Sequence, residues 1–162
     1  MRRVRVLFVC TGNICRSPTA EAVLRKTAAE AGLAACIECD SAGLSDWQTG
    51  KAPDPRAVRA GFLRGYEMVE LRARPLIAQD YEDFDLLVGM DSDHEAHLRW
   101  HHPGEAAALI ARFLDFAPEI AARHGPDVPD PYGGGEDDYE HALDLIEQGM
   151  PGLLAALRRD YL

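Results

Sequence analysis

The sequence predicts an α/β fold: one domain, residues 1–162, built on a short parallel sheet of about four strands with helices on both faces. Two observations carry this expectation. Apolar runs of strand length alternate with stretches whose apolar residues repeat at helical spacing. In addition, 162 residues with 47% hydrophobic and 27% charged side chains suit one core, and no repeat, low-complexity tract or linker interrupts them.

Taken in order, residues 4–9 (VRVLFV) read as a buried first strand, a short apolar run of mixed periodicity such as a parallel strand covered on both faces shows. SPTAEAVLRKTAAEAG (17–32) is predicted helical, with Ser17 as N-cap, Pro18 at the first helical position, and Ala20, Val23, Leu24, Thr27, Ala28 and Ala31 at helical spacing before the stop at Gly32. ACIECD (35–40) is expected to be the second strand, followed by the turn-rich loop SAGLSDWQTGKAPDP (41–55) and a helix over RAVRAGFLRGY (56–66). FDLLVGM (84–90) reads as the third strand, with a helix from about Ser92, and ARFLDF (111–116) as the fourth strand, although its apolar pattern alone also fits a helix. ARHGPDVPDPYGGGEDD (122–138) is expected to be loop. The tail is amphipathic, with Tyr139, Leu143, Ile146, Met150, Leu153, Leu154 and Leu157 on one side. Pro151 inside it is expected to kink or divide the helix.

The net charge of −10 argues against a general nucleic-acid binder, because a phosphate polymer would meet a repulsive field. It leaves open a small anionic substrate, for which local dipoles and one arginine outweigh a screened distant field. No apolar run approaches the roughly 18 residues of a membrane span. The start, MRRVRVLFVC, imitates a secretion signal, but its apolar stretch is shorter than the roughly 7–15 residues of a signal core and no small-residue cleavage site follows. The expected location is therefore the cytoplasm, with Cys10, Cys15, Cys36 and Cys39 as thiols.

The chemistry concentrates in CTGNICRS (10–17), between the first strand and the first helix. Open α/β sheets bind ligands at such junctions, where unpaired N–H groups and the helix dipole favour an anion. Gly12 and Asn13 tolerate left-handed backbone, which lets successive N–H groups face one concave nest. The field that holds an anion also favours Cys10 as a thiolate. Arg16 offers a planar fork for two phosphate oxygens, and Ser17 a hydrogen bond to the sulfur. A zinc knuckle fits poorly, since Cys36 and Cys39 would point to opposite faces of a strand. A dinucleotide turn and a Walker A loop both lack their further glycines or lysine, and a thioredoxin-type pair should open a helix.

Cysteine, five residues, arginine and serine form the C-x5-R-S signature of cysteine-dependent phosphatases, and VLFVCTGNICRSPTAEAV at the N-terminus closely resembles the low-molecular-weight protein tyrosine phosphatases. DSAGLSDWQTGKAPDPRA (40–57) resembles the loop beside that family's pocket, GMDSDH its Met-Asp turn, and Asp130-Pro131-Tyr132 its general-acid motif. The resemblance implies a phosphate-binding loop after strand 1. Cys10 would be the nucleophile, Arg16 and the main-chain N–H groups of residues 11–16 the phosphate ligands, and Asp130 the acid and then the base. Thr11, Gly12, Asn13, Ile14, Cys15 and Ser17 would line the phosphate loop, with Asn13 and Ser41 holding it rigid. Trp47 and Tyr132 are candidate walls for the substrate ring. Cys15 could pair reversibly with Cys10 under oxidation.

Isoleucine at 14 goes with the tyrosine-specific members, whereas relatives that hydrolyse phosphoarginine carry threonine there. The implied substrate is a phosphotyrosine protein, with no cofactor or metal and a monomer or weak dimer. Arsenate reduction or protein-arginine dephosphorylation on the same scaffold are the alternatives; the arsenate relay needs downstream cysteines, and none follows Cys39. Two departures stand out. Leu71 occupies the place of a histidine that supports the loop serine in many members, and Gly133 replaces the second tyrosine of the animal enzymes. His94, His97 and His101 share a helical face that reads as solvated rather than metal-binding.

Overall fold

The computed structural model describes residues 3–162; Met1 and Arg2, the start of the leader-like stretch, lie outside the described residues. Strands β1 (Val4–Cys10), β2 (Ile37–Gly43), β3 (Leu86–Gly89) and β4 (Leu109–Arg112) form one sheet in the order β2-β1-β3-β4. Every pairing in it is parallel. The chain leaves β1 through helix α1 (Arg16–Glu30) to reach β2. It then passes α2 (Pro55–Leu63) and the short α3 (Asp80–Asp83) to pair β3 on the other side of β1. The strand order thus reverses at β1, and the C-terminal end of β1 is the switch point at which such sheets bind ligands. Cys10 is the last residue of that strand.

Strand β1 is apolar at every position but Arg5, which pairs with Glu38, because both of its faces are covered. Val4, Val6, Phe8 and Cys10 join the core beneath α1, α2 and the long C-terminal helix α6 (Glu136–Asp160). Leu7 and Val9 face Leu87, Tyr81 and Leu98 on the side of α4 (Ser92–Trp100). Among the described residues, no helix is long and apolar enough to cross a membrane.

Several element boundaries differ from the sequence expectations. β2 begins at Ile37 and continues to Gly43, because Ser41, Ala42 and Gly43 pair with Phe8, Val9 and Cys10 despite their turn-like composition. A Cβ on Gly43 would lie 3.0 Å from the Thr11 carbonyl and 3.1 Å from the Asn13 nitrogen, so glycine here lets the loop after β1 pass close. Residues 111–116 are only partly strand: β4 ends at Arg112, and Phe113–Phe116 is a 3-10 turn. A strand would send Phe113 and Leu114 to opposite faces, whereas the turn buries both in the core shared with Phe8 and α6.

A fifth helix, α5 (Pro118–His124), occupies the start of the stretch read as loop. Its Pro118 sits in the first turn, where a missing N–H costs nothing. Helix α6 runs unbroken across Pro151. The proline ring removes one donor, but Leu145, Ile146, Met150 and Leu153 on either side are fully packed, and that burial outweighs the lost bond.

Helix α6 approaches the 3-10 turn through Gly149, where an added Cβ would lie 2.6 Å from the Phe113 ring. Gly149→Ala should therefore destabilise the protein by about 1–3 kcal/mol through overpacking, despite the roughly 1 kcal/mol of helix propensity that alanine returns. Urea denaturation of the variant checks this; an unchanged or raised midpoint would contradict the close approach.

Candidate active site

The loop after β1 is shaped by where its carbonyls go. The Leu44, Ser45 and Asp54 N–H groups donate to the carbonyls of Cys10, Thr11 and Ile14 at 2.9, 3.0 and 2.8 Å. In a trans peptide the N–H points opposite the C=O, so the amides of Thr11, Gly12 and Cys15 are turned the other way, into the loop's concavity. Asn13 makes this turn possible with a left-handed backbone at φ 57°. Its side chain is saturated: Nδ2 donates to Ser17 Oγ (2.8 Å) and Ser41 Oγ (2.9 Å), and Oδ1 accepts the Arg74 N–H at 3.0 Å.

Ser17 is not the helix N-cap. Helix α1 starts at Arg16, two residues before the first helical position expected at Pro18, with Cys15 as an N-cap that has no side-chain bond. The Ser17 hydroxyl lies 2.9 Å from Cys10 Sγ; because it accepts from Asn13, its own hydrogen is available to the sulfur. Leaving the first helical turn without a side-chain cap keeps its N–H groups available for an anion. Ser41 in turn donates to Glu21 Oε1 at 2.7 Å, and Glu21 is paired with Arg25 at 2.7 Å. Burial pushes the Glu21 carboxyl up, against the pull of Ser41 and Arg25. Leu71 packs at the margin of the core and takes no part in this network, so here Glu21 supports the loop serine.

Arg16 is 4% exposed. Its Nη1 donates to Asp91 Oδ2 at 2.8 Å and to the Val128 carbonyl at 2.9 Å, while Nη2 lies 3.7 Å from Asp130 Oδ2. Asp91 also caps α4 through the His94 N–H at 2.9 Å. Burial opposes its ionisation, but that N–H, the His94 ring and Arg16 together hold the carboxyl below the usual carboxylate range.

Cys10, Arg16, Asp130, Trp47, Tyr132 and Ile14 meet around one cleft of about 310 Å³, together with Thr11, Gly12 and Cys15. Ser45 and Gln48 also line it and carry no motif that would have singled them out. Asn13, Ser17 and Ser41 lie behind the loop and act on it from there. Trp47 and Tyr132 stand at the mouth, 85% and 53% exposed, and so are free to meet a flat ring. Cys15 is a buried thiol pushed up to about 12 by burial, with its sulfur 3.5 Å from the Tyr139 hydroxyl. A wider groove of about 470 Å³ lies beside β2, but its Arg5 and Arg25 are already paired with Glu38 and Glu21.

The family model for low molecular weight phosphotyrosine protein phosphatases matches residues 5–161. A low molecular weight protein-tyrosine-phosphatase of Streptomyces coelicolor is 43% identical over 154 residues, covering 95% of this chain and 93% of that protein. The chain belongs to this family. Among solved structures, a protein tyrosine phosphatase from Entamoeba histolytica, crystallised with Hepes in its active site, superposes with a TM-score of 0.90 at 36% identity, covering 96% of this chain and 97% of that one. A Drosophila arginine phosphatase superposes at 0.87 with 28% identity, covering 96% and 98%.

Within this phosphatase site, the reading of a solvated histidine face fails for His94. Its ring is 1% exposed, Nε2 lies 3.0 Å from Thr11 Oγ1, and Nδ1 is 3.1 Å from Asp91 Oδ1 without an aligned hydrogen bond. It therefore braces the phosphate loop against α4. Its sequence signal was weak, because only tertiary packing separates it from its neighbours. His101 is exposed and stacks at 4.0 Å on the half-buried His97, so the solvated reading holds for His101.

Burial and the nearby Arg16 hold the His94 imidazole down at about 4, against the pull of Asp91. The unfolded chain binds this proton near pH 6.5 and the folded one only near 4, so stability contributed by neutral His94 is lost as pH falls through that window. The His94 ring proton resonance should not titrate between pH 8 and 5, and His94→Asn should flatten the acid-side loss of stability. A midpoint near 6.5 by NMR would contradict the neutral, buried assignment.

Proposed function

We propose that this protein hydrolyses phosphotyrosine in proteins, and small aryl phosphates, through a phosphocysteine intermediate. The observation that carries the reading is the convergence of Cys10, Arg16 and Asp130 on one cleft whose mouth is formed by Trp47 and Tyr132. Cys10 Sγ attacks phosphorus and the bond to the phenolic oxygen breaks. The inward amides of the loop and the Arg16 guanidinium take up charge on the equatorial oxygens.

A phenolate, with a pKa of about 10, leaves far more readily when protonated, and Asp130 supplies the proton. Water then attacks the phosphocysteine, the P–S bond breaks and inorganic phosphate departs; the same carboxylate takes the water's proton. Ser17 stabilises sulfur as it leaves with its electron pair.

Asp130 suits this double role by its place. It is 53% exposed at the rim, within reach of solvent, and Pro131 biases it towards extended backbone. Residues 1–162 act together as one phosphatase domain. A reducing compartment such as the cytoplasm would keep Cys10 as the free thiol that this chemistry needs. Phosphotyrosine ranks above phosphoarginine because Ile14 gives the cleft an apolar wall, which suits an aryl ring better than a guanidinium.

Hydrolysis of para-nitrophenyl phosphate tests the mechanism. Cys10→Ser is expected to abolish turnover, Asp130→Ala to lower kcat by about 10²–10⁴, and a chelator to leave the rate unchanged. Full activity in Cys10→Ser would overturn the covalent route, and dependence on added metal would overturn the metal-free one.

A further inference from the structure

The Asp130 loop is anchored on both sides of its acid. On the near side Val128 is fully buried: its N–H donates to the Met90 carbonyl at 3.0 Å, and its carbonyl accepts from Arg16 at 2.9 Å. On the far side the anchor is Arg56, in the first turn of α2. Its Nη1 donates to the Gly134 carbonyl at 2.8 Å and its Nη2 to the Tyr132 carbonyl at 3.4 Å. Between the two anchors Asp130 has few constraints of its own. Oδ1 accepts the Tyr132 N–H at 3.1 Å, which leaves Oδ2 facing Arg16.

Arg56 is itself held rigidly. Nε and Nη2 form a fork on the Asp54 carboxylate, both at 3.1 Å, and the guanidinium lies 4.7 Å from the centre of the Tyr139 ring. Asp54 in turn donates its backbone N–H to Ile14 in the phosphate loop at 2.8 Å. A continuous path of hydrogen bonds therefore runs from the nucleophile loop through Asp54 and Arg56 to the residues that follow the acid. The loop here is GGG (133–135), which has little conformational preference to hold itself.

We infer that Arg56 is a positioning residue, one that sets the distance of Asp130 from the phosphate loop by tying the carbonyls of Tyr132 and Gly134 to Asp54. This rests on the assignment of Asp130 as general acid. Lysine cannot replace the arginine, because one ammonium cannot serve the Asp54 fork and two carbonyls together. The consequence is selective: a displaced acid harms esters of poor leaving groups most, because these depend on the proton in the transition state far more than esters of acidic phenols do.

The test compares kcat/KM for phenyl phosphate and para-nitrophenyl phosphate, whose leaving group is the more acidic, in Arg56→Lys. Loss of about tenfold or more with phenyl phosphate, and of less than about threefold with para-nitrophenyl phosphate, is expected. Inhibition by orthovanadate, which reads the phosphate loop alone, should be unchanged within about twofold. Placed in an Asp130→Asn background, Arg56→Lys should add almost nothing, because both changes remove the same contribution. Equal losses on both esters, or an undiminished effect in the Asp130→Asn background, would overturn the inference.

Should Arg56→Lys fold poorly, Asp54→Asn provides the same comparison. It loosens the fork but keeps the backbone bond to Ile14, and it should shift the two esters in the same unequal way; equal losses there likewise count against Arg56. The acid assignment fails separately, if Asp130→Asn alone loses no more on phenyl phosphate than on para-nitrophenyl phosphate.

Discussion

The guanidinium of Arg16 is buried at the floor of the cleft, and a buried charge is tolerated only when its donors are matched. This one requirement draws together parts of the chain that are distant in sequence. Asp91, 75 residues on, supplies a carboxylate from the turn after β3, and Val128, 112 residues on, supplies a carbonyl from the start of the acid loop. Those contacts fix where α4 begins and where Asp130 can sit. Arg16 thus also assembles the cleft, and removing it would leave the half-buried Asp91 without its cation.

The nucleophile loop depends on a second, smaller constraint. Asn13 holds a backbone conformation that most residues avoid, and its amide group is used completely in holding it. One of those bonds leads to Ser17 and so to the Cys10 sulfur; another leads through Ser41 to Glu21 in α1. Backbone shape and sulfur electrostatics are therefore set by the same side chain. The two loops that must cooperate chemically are joined away from the substrate, by Arg16 on one side and the Asp54–Arg56 pair on the other, which leaves the cleft itself open.

Much of this was legible from local pattern. VRVLFV reads as a doubly buried strand and CTGNICRS as an anion nest before a helix, while Asp130-Pro131-Tyr132 stood out only by its resemblance to the family's acid motif. Boundaries set by long-range packing were not legible. Phe113 and Leu114 form a tight turn because both must reach one core, and α6 crosses Pro151 because flanking apolar residues hold it. Ser17 looked like a helix cap by composition, but its hydroxyl is turned to sulfur. His94 and His101 have the same helical periodicity, yet one is sealed against Thr11 and the other is exposed.

By itself, then, the sequence determined the four parallel strands in their chain order and singled out Cys10, Arg16 and Asp130 as the residues on which the proposed chemistry rests. The strands, Cys10 and Arg16 rest on residue type and short spacing, which act within a few peptide units, whereas Asp130 rests on the resemblance of its motif to that of the family. Only the tertiary structure decided which side chains hold those three in register. Glu21, Arg56, Asp91 and His94 act across 20 to 83 residues of chain, where the partner depends on how the sheet is ordered and which helix faces lie together. No local spacing encodes that proximity; the folding of β1 between β2 and β3 does.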